Sequence, residues 1–250
     1  MTQLFADHFS AVAADYASAR PEYPDALFAW IASASPSRSQ VWEAGCGSGQ
    51  ASRGLARHFE RVVATDPAQA QIAQASGPAN VAFSVEAAER CSLADGSVDA
   101  ICVAQALHWF NRDPFFNQCS RVLKPGGVLV AWGYQDVEVP PGLAQVNAAF
   151  QADIAGYWPA ERALIDSAYA GFKWPFTSVQ APAFPLEAQW TLPRLLGYFA
   201  SYSASQRYRA ATGVDAVARH AQAFAAAWPD ASAPLQVRWP LFVHARRKDI

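Results

Sequence analysis

The chain has 250 residues, 52% of them apolar and 16% charged, with a formal net charge of −2; such a composition buries a sizeable core and excludes disorder. No stretch carries the dense Lys and Arg run of a nucleic-acid surface, so no nucleic-acid partner is expected. No apolar run approaches the roughly 18 residues of a membrane span, MTQLFADHFS lacks the pattern of a secretory signal, and the scattered cysteines 46, 91, 102 and 119 fit free thiols in a reducing cytoplasm rather than disulfides or zinc.

Residues Leu4 to Ala19 read as a helix, and Asp25 to Ala34 as a second with Pro24 at its start. The pattern then changes. Ser39 to Glu43 is a short apolar strand, followed by a helix over Gly49 to Phe59 with Ala51, Leu55 and Phe59 on one face. Arg61 to Thr65 is the second strand, stopped at Asp66-Pro67, and Ala68 to Ser76 the next helix. Val81 to Val85 and Val98 to Ala104 are the third and fourth strands; the fourth is nearly all apolar, as a strand covered on both faces is. Pro114 to Leu123 is a helix, and Val128 to Gly133 the fifth strand. This alternation predicts an α/β fold with a doubly wound, mostly parallel sheet.

After Tyr134 the rhythm breaks. Residues 136–178 read as helices and loops, and Val179 to Ala188 as a strand weakened by Pro182 and Pro185. Thr191 to Ser201 and Val214 to Trp228 read as helices. In Leu235 to Ala245, residues Val237, Trp239, Leu241 and Val243 alternate at period two and predict a last strand. Pro240 counts against it, because proline removes a ladder donor.

The stretch VWEAGCGSGQAS, residues 41–52, follows the first strand. Glycines there permit positive φ and bring backbone close to a ligand, and open α/β sheets bind ligands outside the carboxyl ends of their strands. A dinucleotide fingerprint, G-x-G-x-x-G, needs glycine at position 50, which is Gln50. The pattern is E-x-G-x-G-x-G instead: Glu43, Gly45, Gly47 and Gly49. A carboxylate at that place repels a pyrophosphate and suits a ligand carrying an ammonium and a sulfonium. Asp66 ends the second strand, where a carboxylate accepts ribose hydroxyls.

EAGCGSG, TD at the second strand, SVDAICVAQALHWF and RVLKPGGVLVAW resemble the class I S-adenosylmethionine-dependent methyltransferases. FSAVAADYASARPEYP, the ALHWF of residues 106–110, WTLPRLLGYFASYSASQRY and VRWPLFV look like the trans-aconitate methyltransferase-like branch. The resemblance implies a Rossmann-like fold with a seven-stranded sheet, N-terminal helices and a C-terminal helical cover. It implies S-adenosyl-L-methionine as cofactor and methyl transfer to a small-molecule acceptor, at a carboxylate or hydroxyl oxygen. With no repeat or low-complexity linker, the chain reads as one domain: a helical lid over 1–38, a cofactor-binding core over 39–135, and a substrate cover with the last strands over 136–250.

The resemblance also implies roles. Gly45, Cys46 and Gly47, in a loop completed by Gly49, face the methionine part of the cofactor, and Glu43 orients the loop or the ammonium. Asp66 holds the ribose and Pro67 borders the adenine. Glu86, Ala87, Ala88 and Glu89 wrap the adenine edge, with Ala87 where many relatives carry aspartate. Gln105 lies beside the reactive end. Tyr16 and Arg20 fold over the cofactor as part of a lid with Tyr23, and Arg20 meets a carboxylate through its fork. His108 stands on the acceptor side as a base or a positioning residue, walled by Trp109 and Phe110, with Tyr23 and Tyr134 also toward the substrate. Trp158, Trp174, Trp190, Tyr198, Tyr202 and Tyr208 mainly supply burial. His8, His58, His220 and His244 have no ligand-like spacing, and no metal is expected. A methyltransferase acting on a macromolecule and a cofactor-binding protein without catalysis remain as alternatives.

Overall fold

The computed structural model describes residues 20–230 and 233–249; the helix expected over Leu4 to Ala19, with Tyr16, lies outside them. The strands are β1 (Gln40–Ala44), β2 (Arg61–Asp66), β3 (Val81–Val85), β4 (Val98–Ala104), β5 (Leu123–Tyr134), β6 (Thr177–Val179), β7 (Leu186–Trp190), β8 (Leu235–Trp239) and β9 (Leu241–Arg247). Seven of them form one sheet in the order β3-β2-β1-β4-β5-β9-β6. Strands β1 to β5 are mutually parallel, and β9 runs antiparallel between β5 and β6. The chain therefore starts at the centre, winds outward to β3, and returns to add β4 on the other side of β1. That reversal makes the crevice between the carboxyl ends of β1 and β4 the place for a ligand.

The helices are α1 (Asp25–Ala34), α2 (Gln50–Leu55), α3 (Gln69–Gln74), α4 (Arg112–Val122), α5 (Ala144–Ile154), α6 (Arg162–Asp166), α7 (Leu192–Ala200), α8 (Ser203–Thr212) and α9 (Ala216–Ala227). Alternate strand residues serve opposite faces of the sheet. Val41, Ala100, Cys102, Val128, Val130 and Trp132 pack with Leu27, Phe28 and Ile31 of α1 and Leu55 of α2. Trp42, Ile101, Val103, Leu129 and Ala131 pack with Phe115, Cys119 and Val122 of α4. Both faces are covered, which is why these strands are apolar throughout. A third apolar cluster joins Tyr134 and Val137 to α5, α7, α8, α9 and the β7–β8 pair, and builds the cover. Among the described residues no helix is long and apolar enough to cross a membrane.

Two expected strands are each divided. The period-two run from Leu235 breaks at Pro240: β8 pairs with β7 in a separate two-stranded sheet, whereas β9 enters the main sheet. The stretch from Val179 to Ala188 divides likewise, with β6 ending at Val179, β7 starting at Leu186, and Pro182 and Pro185 in the connection. Helix α8 has no counterpart in the expected elements; it buries only Ala204, Ser205 and Tyr208, too sparse a stripe to announce itself.

Asp99 of β4 is 0% exposed and carries a charge inside the fold. Ser37 Oγ (2.7 Å), Ser39 Oγ (2.6 Å), the Gln40 N–H (2.9 Å) and Lys124 Nζ (2.7 Å) all donate to it. The carboxylate thus ties the entry of β1 and the start of β5 to β4. Burial alone pushes its pKa up; the bonds from Lys124, Ser39, Gln40 and Ser37 outweigh that and hold it down at about 2. A carboxylate with a depressed folded-state pKa stabilises the fold above its unfolded pKa, and that contribution is lost as pH falls through the folded one. Asp99→Asn is expected to cost about 2–3 kcal/mol at pH 7. In urea titrations the difference from wild type should shrink below about pH 4 and vanish near pH 2.

Candidate functional site

Where β1 ends, the chain turns through its glycine loop and is held by the end of β2. The Gly45 and Cys46 N–H groups donate to Thr65 O at 2.8 and 3.0 Å. The Gly47 N–H donates to Asp66 Oδ2 and the Ala68 N–H to Asp66 Oδ1, each at 2.9 Å. One carboxylate therefore sets the geometry of both loops, and each oxygen keeps a further lone pair. Gly45 sits at φ 72, and a Cβ there would come within 2.8 Å of Ala106 Cβ and 3.0 Å of the Phe110 ring. Only glycine fits between the loop and the β4 turn. Gly49, at φ 87, is instead packed against the Phe83 ring and starts α2.

Glu43 falls on the same sheet face as Val41, toward α2, and is 1% exposed. Ser52 Oγ donates to its carboxylate. Burial pushes its pKa up to about 8; the Ser52 bond opposes this and the nearby Asp66 charge adds to it. A carboxyl group in such a setting is one whose charged form a nearby cation would favour. Burial also raises the pKa of Asp66, against the opposing N–H bonds from Ala68 and Gly47.

A cavity of about 230 Å³ opens at the carboxyl ends of the strands. Its strand side brings together Glu43, Gly45, Cys46, Gly47, Asp66 and Pro67, with Gln71. Its cover side holds Arg20, Tyr23, His108, Trp109, Phe110 and Tyr134, with Gln105 near the β4 end. Trp158, Arg162, Tyr198 and Tyr202 complete that side. Gly49 and the segment Glu86-Ala87-Ala88-Glu89 are not in the wall. The Glu86 carboxylate accepts from Ser84 Oγ and from the N–H and Oγ of Ser92, and Glu89 accepts the Asn111 N–H. Ala88 packs into the core and Ala87 faces outward. These side chains hold their own loop.

Gln105 has φ 52, a left-handed conformation uncommon outside glycine. Its N–H donates to Trp132 O (2.8 Å), its Nε2 donates to Tyr134 O (3.1 Å), and its Oε1 accepts the Tyr134 N–H (2.9 Å). The amide is a clamp between the ends of β4 and β5. His108 lies in a 3₁₀ turn, Leu107–Trp109, with Nδ1 3.1 Å from Tyr169 Oη and its ring 4.8 Å from that of Trp109. Burial, helped by the Arg162 charge, pushes its pKa down to about 3, so the ring is neutral at physiological pH.

Arg162 bridges Asp136 (2.9 Å) and Asp166 (2.7 Å) and stacks over Trp158 at 4.4 Å. Arg20 Nη1 donates to Tyr134 Oη at 3.0 Å, and the guanidinium lies 5.8 Å over the Tyr198 ring. Gln50 Nε2 donates to Pro21 O at 2.6 Å, fastening the 20–24 segment above the glycine loop. Arg162 and Tyr169 were not expected; they stand in a stretch without regular period, and packing alone brings them to His108. Among the described residues no group of three or more His, Cys, Asp or Glu is arranged to hold a metal.

Residues 42–131 match a family model described as a methyltransferase domain. A candidate methyltransferase of Dictyostelium discoideum is 34% identical over 204 residues, covering 80% of this chain and 78% of that protein. A Saccharomyces cerevisiae protein named as a candidate S-adenosylmethionine-dependent methyltransferase is 29% identical over 130 residues, 48% of this chain and 45% of the relative. A solved structure of a candidate type II methyltransferase from Anaeromyxobacter dehalogenans is 40% identical and superposes with a TM-score of 0.87. It covers 92% of this chain and 99% of its own.

Cys46 lines the cavity yet is only 5% exposed. Burial, with the charges of Glu43 and Asp66, pushes the thiol's pKa upward, and the other three cysteines are buried free thiols. A thiol without thiolate character is unreactive. Iodoacetamide at about pH 8 should therefore leave all four unlabelled in the folded protein and label all four after denaturation, read by mass spectrometry. Fast labelling of folded Cys46 would contradict this placement.

Proposed function

The chain belongs to the class I S-adenosylmethionine-dependent methyltransferases, and we propose that it methylates a small molecule at oxygen, a carboxylate or a hydroxyl. The cavity's strand side fits the cofactor. It offers a cradle that a Cβ at Gly45 would fill, a carboxylate at Glu43 that suits a cation, and Asp66 with lone pairs for a diol. Glu43, Gly45, Cys46 and Gly47 would hold the amino-acid portion, Asp66 the ribose, and Pro67 one edge of the adenine. When bound, S-adenosylmethionine supplies an electrophilic methyl group on a sulfonium.

What the chain itself must then do is align an acceptor and exclude water. The observation that carries the small-molecule reading is the aromatic closure of the cover side. Tyr23, Trp109, Tyr134, Trp158, Tyr198 and Tyr202 line one side of the cavity. Segments resembling the trans-aconitate methyltransferase-like branch contribute Arg20, Tyr23, His108, Trp109, Tyr198 and Tyr202 to that wall, which supports this branch as the narrower reading. We read residues 1–250 as one domain in which lid, core and cover close a single site. Four buried free thiols agree with action in a reducing cytoplasm.

The test is turnover of methyl-labelled S-adenosylmethionine with a panel of aliphatic and aromatic carboxylic acids, the matching alcohols, and phenols. Label in a methyl ester or ether is the expected result. Label found only in protein or RNA substrates would refute the small-molecule reading.

A further inference from the structure

The acceptor side of the cavity contains a hydrogen-bond arrangement whose direction follows from donor counting. Tyr169 is buried, and among the described residues the side-chain hydrogen-bond partner of its hydroxyl is His108 Nδ1, at 3.1 Å. A buried hydroxyl spends its proton on the acceptor within reach. Nδ1 is then the acceptor, and a neutral imidazole whose Nδ1 accepts carries its proton on Nε2. His108 lines the cavity, and its Nε2 makes no hydrogen bond among the described residues. An N–H donor is left for whatever enters.

Tyr169 is held firmly in this position. It stacks on Phe172 at 4.7 Å, meets Phe242 edge-on at 5.1 Å, and donates its N–H to Leu164 O. Ala168 and Tyr169 both adopt positive φ, 48° and 58°. Two consecutive left-handed non-glycine residues are strained, and such strain collects at functional sites. His244 Nε2, 2.7 Å from Ala168 O, anchors that bend to β9.

The surrounding groups agree in character. The charged neighbour of His108 is Arg162, itself fixed by Asp136 and Asp166. Tyr202 Oη is buried and lines the cavity beside Tyr198, and burial keeps it protonated. Glu43 and Asp66 are the only carboxylates in the described wall, and both belong to the strand side. Among the described residues the cover side therefore offers donors and no base.

Resting on the methyl-transfer reading above, we propose that Tyr169 is a positioning residue that fixes His108 as a neutral Nε2–H donor. The site then binds an acceptor whose oxygen is already anionic in solution, a carboxylate, instead of deprotonating one. The carboxylate oxygen forms the new C–O bond as the C–S bond breaks with its electron pair left on sulfur, giving a methyl ester and a thioether. No proton moves. A hydroxyl acceptor would have to lose its proton to a base that the cover side does not contain among the described residues.

Nitrogen-15 spectra of the histidine rings in the ligand-free protein test the device apart from activity. At neutral pH the His108 ring should be the Nε2–H tautomer, assigned by its loss in His108→Gln. In Tyr169→Phe the Nδ1–H tautomer should appear. With an acid taken from the turnover panel, Tyr169→Phe should raise KM about tenfold with kcat within about twofold, as expected for one lost ground-state hydrogen bond. The matching alcohol or phenol should not be methylated. An Nδ1–H or protonated His108 in wild type, an unchanged tautomer in Tyr169→Phe, or a phenol methylated as fast as its acid would overturn the proposal. Absence of all turnover would instead sink the methyl-transfer reading, while the ring spectra still decide the Tyr169–His108 arrangement.

Discussion

The Asp66 carboxylate sits where two loops must be built at once. By accepting the Gly47 and Ala68 N–H groups, it ties the turn after β1 to the turn after β2. Thr65 reinforces the join: its carbonyl takes the Gly45 and Cys46 N–H groups, and its hydroxyl takes Trp42 Nε1 from the buried face of β1. The glycine loop is thus shaped by fixed dipoles before any ligand arrives, and preorganised groups cost no rearrangement on binding. Removing the carboxylate would loosen the cradle.

The two sides of the cavity differ in chemistry. The strand side concentrates acid: Glu43 and Asp66 both line it, and the Asp66 charge adds to the rise of the Glu43 pKa. The cover side carries Arg20, Arg162 and aromatic rings. A positively charged donor and an electron-rich acceptor are drawn to opposite walls by simple charge complementarity. Gln105 stands between them and spends its amide on the Tyr134 backbone, so the ends of β4 and β5 keep their spacing when the cavity fills.

The α/β core was legible in the chain because its information is local. Parallel strands buried on both faces must be apolar runs, and Asp66-Pro67 and the glycine loop punctuate them visibly. Helix α1 spans the expected Asp25–Ala34. Pro240 and the pair Pro182 and Pro185 mark where locality ends. Alternation continues across each break, but which sheet a strand joins depends on partners far away in the chain. The site divides the same way. Glu43, Gly45, Gly47 and Asp66 belong to a motif with fixed spacing and stand together on the strand side. Arg162 and Tyr169 reach the cavity region through packing of the cover, and no local pattern marks them. The Glu86–Glu89 segment was expected at the ligand from family resemblance, whereas Ser84, Ser92 and Asn111 occupy its acidic side chains.

The most direct test is calorimetric binding of S-adenosylhomocysteine to wild type and to Asp66→Asn, which keeps the residue's size but not its charge. Wild type should bind with one site, and the variant should bind at least about tenfold more weakly while melting within a few degrees of wild type. Equal affinity in the two proteins would contradict the assignment of Asp66 and, with it, the placement of the cofactor in this cavity.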